Sequence, residues 1–118
     1  MKKPLKEVEF LGKEVKVIID RPINSRHPRF NFKYEVNYGF IPDTLGGDGM
    51  EIDAYILGKN IPLSTFQGIV KAVIFRKNDV ENKLVVTNAK YILNVEEVLQ
   101  KTFFQEQFFQ TEIKLLQV

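Results

Sequence analysis

Short apolar runs separated by turn residues constrain this chain more than any other feature. Val15 to Asp20 (VKVIID), Met50 to Leu57 (MEIDAYIL), Gly68 to Phe75 (GIVKAVIF) and Lys83 to Thr87 (KLVVT) are strand-sized and rich in β-branched residues. Gly, Pro, Asn and Asp fill the gaps between them, which predicts a small barrel. Arg21-Pro22 ends the first run, because proline cannot supply the next ladder donor. Asn94 is placed to cap a helix over VEEVLQKTFFQEQFF, in which Val95, Val98, Leu99, Thr102, Phe103 and Phe109 fall roughly on one face. That helix is expected to pack on the barrel, and the tail TEIKLLQV reads as a final strand rather than as more helix. The expected class is mainly β with α: a small closed antiparallel barrel with a C-terminal helix.

With 118 residues, 44% of them hydrophobic, the chain suits a single domain over 1–118 with one core. It has no cysteine, so disulfides and thiolate metal sites are excluded. Any metal must be held by oxygen ligands or by His27, which points to magnesium, manganese or calcium. The N-terminus MKKPLKEVEF lacks the apolar core of a signal peptide and no run approaches membrane-spanning length, so a cytoplasmic protein without a membrane partner is expected. Net charge is +2, from 17 basic and 15 acidic residues spread throughout, and aromatic residues are not interleaved with a basic stripe. Nucleic acid is therefore not expected as a partner, whereas a small anionic ligand is.

The acids gather in two places. In NYGFIPDTLGGDGMEIDAYILG, Asn37 to Gly58, strand alternation puts Ile52, Ala54 and Ile56 on one face and Glu51, Asp53 and Tyr55 on the other. Asp53 thus looks away from the core. Asp48 has the opposite parity, and Gly46, Gly47 and Gly49 permit the bend that would bring it beside Asp53. A second acidic turn, NDVEN, offers Asp79 and Glu81 with Lys83 just after; on pattern alone it reads as a solvated hairpin turn rather than as a ligand loop, and only its pairing with GGDG favours the latter. Between the first strand and Asn37 lies a basic loop, INSRHPRFNFKYE, carrying Arg26, His27, Arg29 and Lys33 among aromatics. Its arginines read as solvated charge or as phosphate contacts, and His27 as an exposed loop residue or as a phosphate or metal contact.

The run NYGFIPDTLGGDGMEID resembles the signature region of soluble inorganic pyrophosphatases, in which an Asn-Tyr-Gly segment precedes an Asp-x-Asp-x-x-Asp metal motif at this distance. IIDRP and VENKLVV are similar to two flanking segments of that family, and with loops shorter than in its typical enzymes the chain is more similar to a short bacterial pyrophosphatase-like group. The resemblance implies an oligonucleotide-binding-type barrel that hydrolyses pyrophosphate with Mg2+, or Mn2+ in its place, as cofactor. It also implies roles: Asp48 and Asp53 would share the metal that activates water, Glu81 would stand for a family aspartate, Asp79 would be a further ligand, and Asp20 would lie near metal-bound water. Lys83, Arg21, Arg26 and Arg29 would contact phosphate, with Tyr38 beside it. Met50 stands where the family has its middle aspartate, which makes Glu51 the adjacent candidate for general base. The family's Tyr-Lys pair at the end of the helix has no match in FFQEQFFQ. Hydrolysis of another small phosphoanhydride or phosphate ester, or phosphate-ligand binding without turnover, remain the alternatives. Phe103, Phe104, Phe108 and Phe109 read as packing residues, two of them partly exposed, which suggests a homo-oligomer.

Overall fold

In the computed structural model the described residues, 6–77 and 79–117, form six strands, one α-helix and a 3-10 turn over Glu7–Phe10. The strands are β1 (Glu14–Arg21), β2 (Asn37–Ile41), β3 (Ile52–Ile56), β4 (Thr65–Arg76), β5 (Lys83–Thr87) and β6 (Thr111–Leu115), and α1 spans Val95–Glu106. Neighbours run β1-β2-β3-β5-β4, and β4 returns to β1, so five strands close a barrel. β4 serves twice: its first half pairs with β1, from Ile18↔Thr65 to Glu14↔Ile69, and its second half carries β6, from Ala72↔Leu115 to Arg76↔Thr111. The barrel closes as expected and is antiparallel at every pairing but one. β3 and β5 run parallel, Ala54 opposite Leu84, because the chain between them crosses the barrel as β4 instead of turning directly back.

Strand alternation separates two apolar layers. Val17, Ile52, Ala54, Ile56, Val70, Val73, Leu84 and Val86 fill the barrel. Tyr34, Tyr55, Leu57, Ala72, Ile74 and Val85 face outward and are covered by Val98 and Phe104 of α1. The outward face of β3 is therefore a second core, with Tyr55 fully buried, rather than the solvated surface that simple alternation implies.

β2 was not legible as a strand. Gly39 weakens strand propensity and Pro42 follows at once, yet Gly39 is what lets β2 approach β1: a Cβ there would stand 1.9 Å from the carbonyl oxygen of Ile18. Asn37 beside it is buried and pins two other segments. Its Oδ1 accepts from the backbone N–H groups of Ile23 (3.0 Å) and Leu63 (3.1 Å), and its Nδ2 donates to the Ile61 carbonyl (2.8 Å). In the Asn-Tyr-Gly run, Asn37 and Gly39 thus serve the fold and release Tyr38 for the outer face.

The helix is capped as expected, Asn94 accepting from the Glu97 N–H at 2.8 Å, but it stops at Glu106 and is rotated from the apolar face read in the sequence. Val98, Thr102, Phe104, Gln105 and Glu106 are buried, while Val95, Leu99 and Phe103 are exposed. Polar partners cause the rotation. Gln105 and Glu106 turn inward because Tyr34, Tyr55 and Arg76 bond to them from the barrel wall. Of the four C-terminal phenylalanines, Phe104 is buried, Phe109 half-buried, and Phe103 and Phe108 exposed. No helix of the described residues is long and apolar enough to cross a membrane.

Candidate active site

Three neighbouring strands each send one polar side chain outward to a common point. Lys83 of β5 donates from Nζ to the Tyr38 hydroxyl of β2 (2.7 Å), to Asp53 Oδ2 of β3 (2.7 Å) and to Glu81 Oε1 in the turn before β5. The Tyr38 hydroxyl in turn donates to Asp53 Oδ2 at 2.8 Å. Alternation explains the convergence: Tyr38, Asp53 and Lys83 all occupy outward positions next to the outward core residues Tyr55 and Val85.

Two carboxylates around one ammonium have unlike environments. Burial pushes the Asp53 carboxyl up, but the Lys83 charge and the hydrogen bonds with Glu81, Lys83 and Tyr38 together outweigh it and hold Asp53 below the ordinary carboxylate range. Glu81 goes the other way: burial and the hydrogen bond it shares with Asp53 raise it above its usual value, with Lys83 opposing. Burial first and the Asp53 charge second push the Tyr38 phenol well above its ordinary value, which keeps it a neutral donor.

Behind this group lies a second cation. Arg76, at the end of β4, forks onto Glu106 of α1 with Nε to Oε1 at 3.0 Å and Nη2 to Oε2 at 2.7 Å, and its guanidinium lies over the Phe109 ring at 3.8 Å. Its Nη1 is 3.5 Å from Asp79 and 3.7 Å from Glu81. Both groups open into one cavity of about 560 Å³. Its lining combines the polar Asp20, Arg21, Tyr38, Asp53, Arg76, Glu81 and Lys83 with an aromatic group of His27, Phe30, Phe32 and Phe108, and Tyr34 and Phe109 join the two.

The cavity thus gathers Asp20, Arg21, Tyr38, Asp53, Glu81 and Lys83 from the residues singled out in the sequence. Others stand elsewhere. Asp48 and Glu51 are exposed on the 43–51 loop outside the cavity lining, with Asp48 Oδ1 accepting from the Met50 N–H at 3.0 Å. That loop nevertheless packs on the second acidic turn, since a Cβ on Gly47 would meet the Val80 carbonyl oxygen at 2.1 Å. Asp79 meets the site through Arg76. Arg26 donates to the Asn31 carbonyl (3.0 Å), Arg29 is exposed, and neither lines the cavity.

Arg76 and the aromatic wall escaped the sequence reading. Arg76 carried a usable signal: it continues the outward row of Ala72 and Ile74, and a charge at the end of an apolar row implies a buried partner. The partner, Glu106, lies thirty residues on.

His27 is part of that wall. Its Nδ1 accepts from the N–H groups of Arg29 (3.0 Å) and Phe30 (3.1 Å), so a proton at Nδ1 would break the turn that presents Phe30. Burial lowers its pKa from the ordinary 6.5, with the charges of Arg21 and Arg29 adding to the effect. A histidine whose folded value is depressed stabilises the fold above the unfolded value and loses that contribution as pH falls through the folded one. Imidazole NMR is therefore expected to show neutral His27 with the proton on Nε2, titrating below 6.5, with the 27–32 turn loosening over the same range. A titration above 6.5 would contradict this arrangement.

Among the described residues no three acidic or histidine side chains converge closely enough to enclose a metal ion by themselves. The donor chemistry still fits a hard divalent cation. Asp53 and Glu81 already share one cationic partner, Asp20 lines the same cavity, and magnesium is commonly held by one or two carboxylates together with waters and substrate phosphates.

The fold and this site define an oligonucleotide-binding-type barrel with a charged pocket beside its C-terminal helix. The family model for inorganic pyrophosphatase matches residues 6–109, and the chain belongs to that family. Solved structures agree in fold. The inorganic pyrophosphatase of Ehrlichia chaffeensis is similar with a TM-score of 0.71 at 20% identity, over 90% of this chain and 88% of that one. That of Helicobacter pylori gives 0.64 at 18% identity over 97% and 87%, and that of Neisseria gonorrhoeae 0.62 at 22% over 79% and 72%. No curated protein matches the chain.

Proposed function

We propose that the chain hydrolyses inorganic pyrophosphate to phosphate in a reaction that depends on a divalent cation, Mg2+ or in its place Mn2+. The observation that carries this reading is the convergence of Tyr38, Asp53 and Glu81 on Lys83 at the polar end of the cavity. Charge balance supports the cation requirement. Arg21, Arg76 and Lys83 line the cavity together with Asp20, Asp53 and Glu81, and Arg76 is further matched by Glu106. The wall therefore has no surplus positive charge to offer a polyanion.

Asp53 and Glu81 would hold the cation, which when bound supplies charge neutralisation at the phosphoryl oxygens and acidifies water. The chain's own groups do the rest. Lys83 and Arg21 bind and orient phosphate oxygens, Arg21 through a guanidinium fork matched to paired oxygens. Tyr38, held neutral, donates a hydrogen bond that fixes Asp53. Asp20 at the rim accepts the proton from the attacking water. Phe32, Tyr34 and Phe109, buried or half-buried in the lining, limit entry of bulk water.

Binding of a phosphate ligand without turnover is a second reading, favoured by Met50. This residue is 63% exposed on the 43–51 loop at the position where an acid would be needed for full family chemistry. Phosphate release from pyrophosphate, measured with Mg2+, with Mn2+ and with EDTA, separates the two. Release with either cation and its loss in EDTA is the expected result. A folded protein that releases no phosphate above background with either cation ends the hydrolytic reading.

A further inference from the structure

The polar end of the cavity accounts for pyrophosphate; the other end does not. A bare diphosphate would occupy the neighbourhood of Lys83 and Arg21 and leave the exposed Phe30 and Phe108 with nothing to contact. The aromatic group is continuous: the His27 ring lies 5.0 Å from Phe30 and 4.9 Å from Phe32, and Phe32 lies 6.2 Å from Phe108. Phe30 and Phe108 are 67% and 61% exposed, although both line the cavity. Exposed phenylalanines on a concave wall bind flat apolar surfaces, because stacking removes both faces from water. They offer a phosphate oxygen no donor. The volume of about 560 Å³ also falls in the range of roughly 300–1,000 Å³ that encloses whole organic ligands.

We propose that this cavity binds a diphosphate joined to a planar heteroaromatic group, a nucleoside diphosphate, with the phosphates at Lys83 and Arg21 and the base against Phe30, His27 and Phe108. The inference rests on the phosphate-binding role given to the polar end in the proposed function, and adds a second ligand class for that same site. A single aromatic platform distinguishes the four bases weakly, since every base has a π-face, so adenosine and guanosine diphosphates are expected to bind alike.

The test is calorimetric and needs no turnover. ADP and inorganic pyrophosphate, each as its non-hydrolysable methylene-bridged analogue, are titrated, in the presence of Mg2+, into the wild type and into Phe30→Ser, Phe108→Ser and Phe103→Ser. Phe103 is the control, being 60% exposed on α1 but absent from the cavity lining. ADP is expected to bind about tenfold more tightly than pyrophosphate, and Phe30→Ser and Phe108→Ser to weaken ADP by about the same factor while leaving pyrophosphate within twofold. Phe103→Ser should change neither. Equal affinity for the two ligands, unchanged ADP binding in both cavity variants, or an equal loss for ADP and pyrophosphate would each overturn the proposal. Failure of the hydrolytic reading looks different, as absence of phosphate release from pyrophosphate by the wild type whatever the order of affinities.

Discussion

Arg76→Met is expected to destabilise the protein by about 3–5 kcal/mol, the cost of removing one partner of a buried ion pair and leaving the other charge uncompensated. Arg76 and Glu106 are both buried, and the carboxylate also accepts from the Tyr55 hydroxyl at 2.5 Å. Gln105 joins the same group, its Nε2 donating to the Tyr55 oxygen (2.7 Å) and its Oε1 accepting from Tyr34 (2.9 Å). This network fastens the end of α1 to the barrel, so its loss should also free the helix that closes the cavity. In Arg76→Met/Glu106→Gln the stranded charge is gone and an acceptor for Tyr55 remains, so much of the loss should be recovered. Urea unfolding followed by far-UV circular dichroism measures both, and a single-variant loss under about 1 kcal/mol would mean that water or another group already shares the Glu106 charge.

Asp53→Asn is expected to lower pyrophosphate hydrolysis by at least about 100-fold while the chain remains folded. The amide keeps the shape and one acceptor for Tyr38 and Lys83, so the barrel wall is little disturbed. What it lacks is the negative charge that would hold a divalent cation and balance Lys83. Asp48→Asn, on the exposed loop, should lose much less. If Asp53→Asn keeps wild-type turnover and wild-type Mg2+ dependence, the cation is not held at Asp53 and the proposed site is wrong. Stability gives an independent reading. The folded Asp53 carboxyl lies below its ordinary value of 3.8, so its ion pair stabilises the fold above that pH and is lost as pH falls through the lower folded value. The wild type's stability advantage over Asp53→Asn should therefore be full at neutral pH and shrink in that acid window.

Much of the barrel was legible because strand signals are local. β-branched runs, the proline after Arg21 and the Asn94 cap act within a few residues, and β1, β3, β4, β5 and the start of α1 lie close to where those signals put them. β2 was hidden because its reason for being a strand is not local: Gly39 is needed by the Ile18 carbonyl of another strand. The rotation of α1 was hidden for the same cause. Its apolar residues favour one face, but hydrogen bonds from Tyr34, Tyr55 and Arg76 turn Gln105 and Glu106 inward.

The candidate site divides along the same line. Asp53 and Lys83 sit on strands whose parity the sequence determined by itself, since side chains alternate whatever the partner strand. The family pattern around Asn37 to Asp53 was likewise written in the sequence. Which acids share a cation, which arginine lies beneath them and which aromatics face them depend on strand order and helix rotation. Those are settled by long-range contacts between residues far apart in the chain, as Lys83 with Tyr38 and Arg76 with Glu106 show. Only the tertiary structure decided that Asp48 and Glu51 stand outside the cavity while Arg76, Phe30 and Phe108 line it. A residue's spacing along the chain carries the side-chain period of its own element, but not the distance to an element that pairs with it from elsewhere.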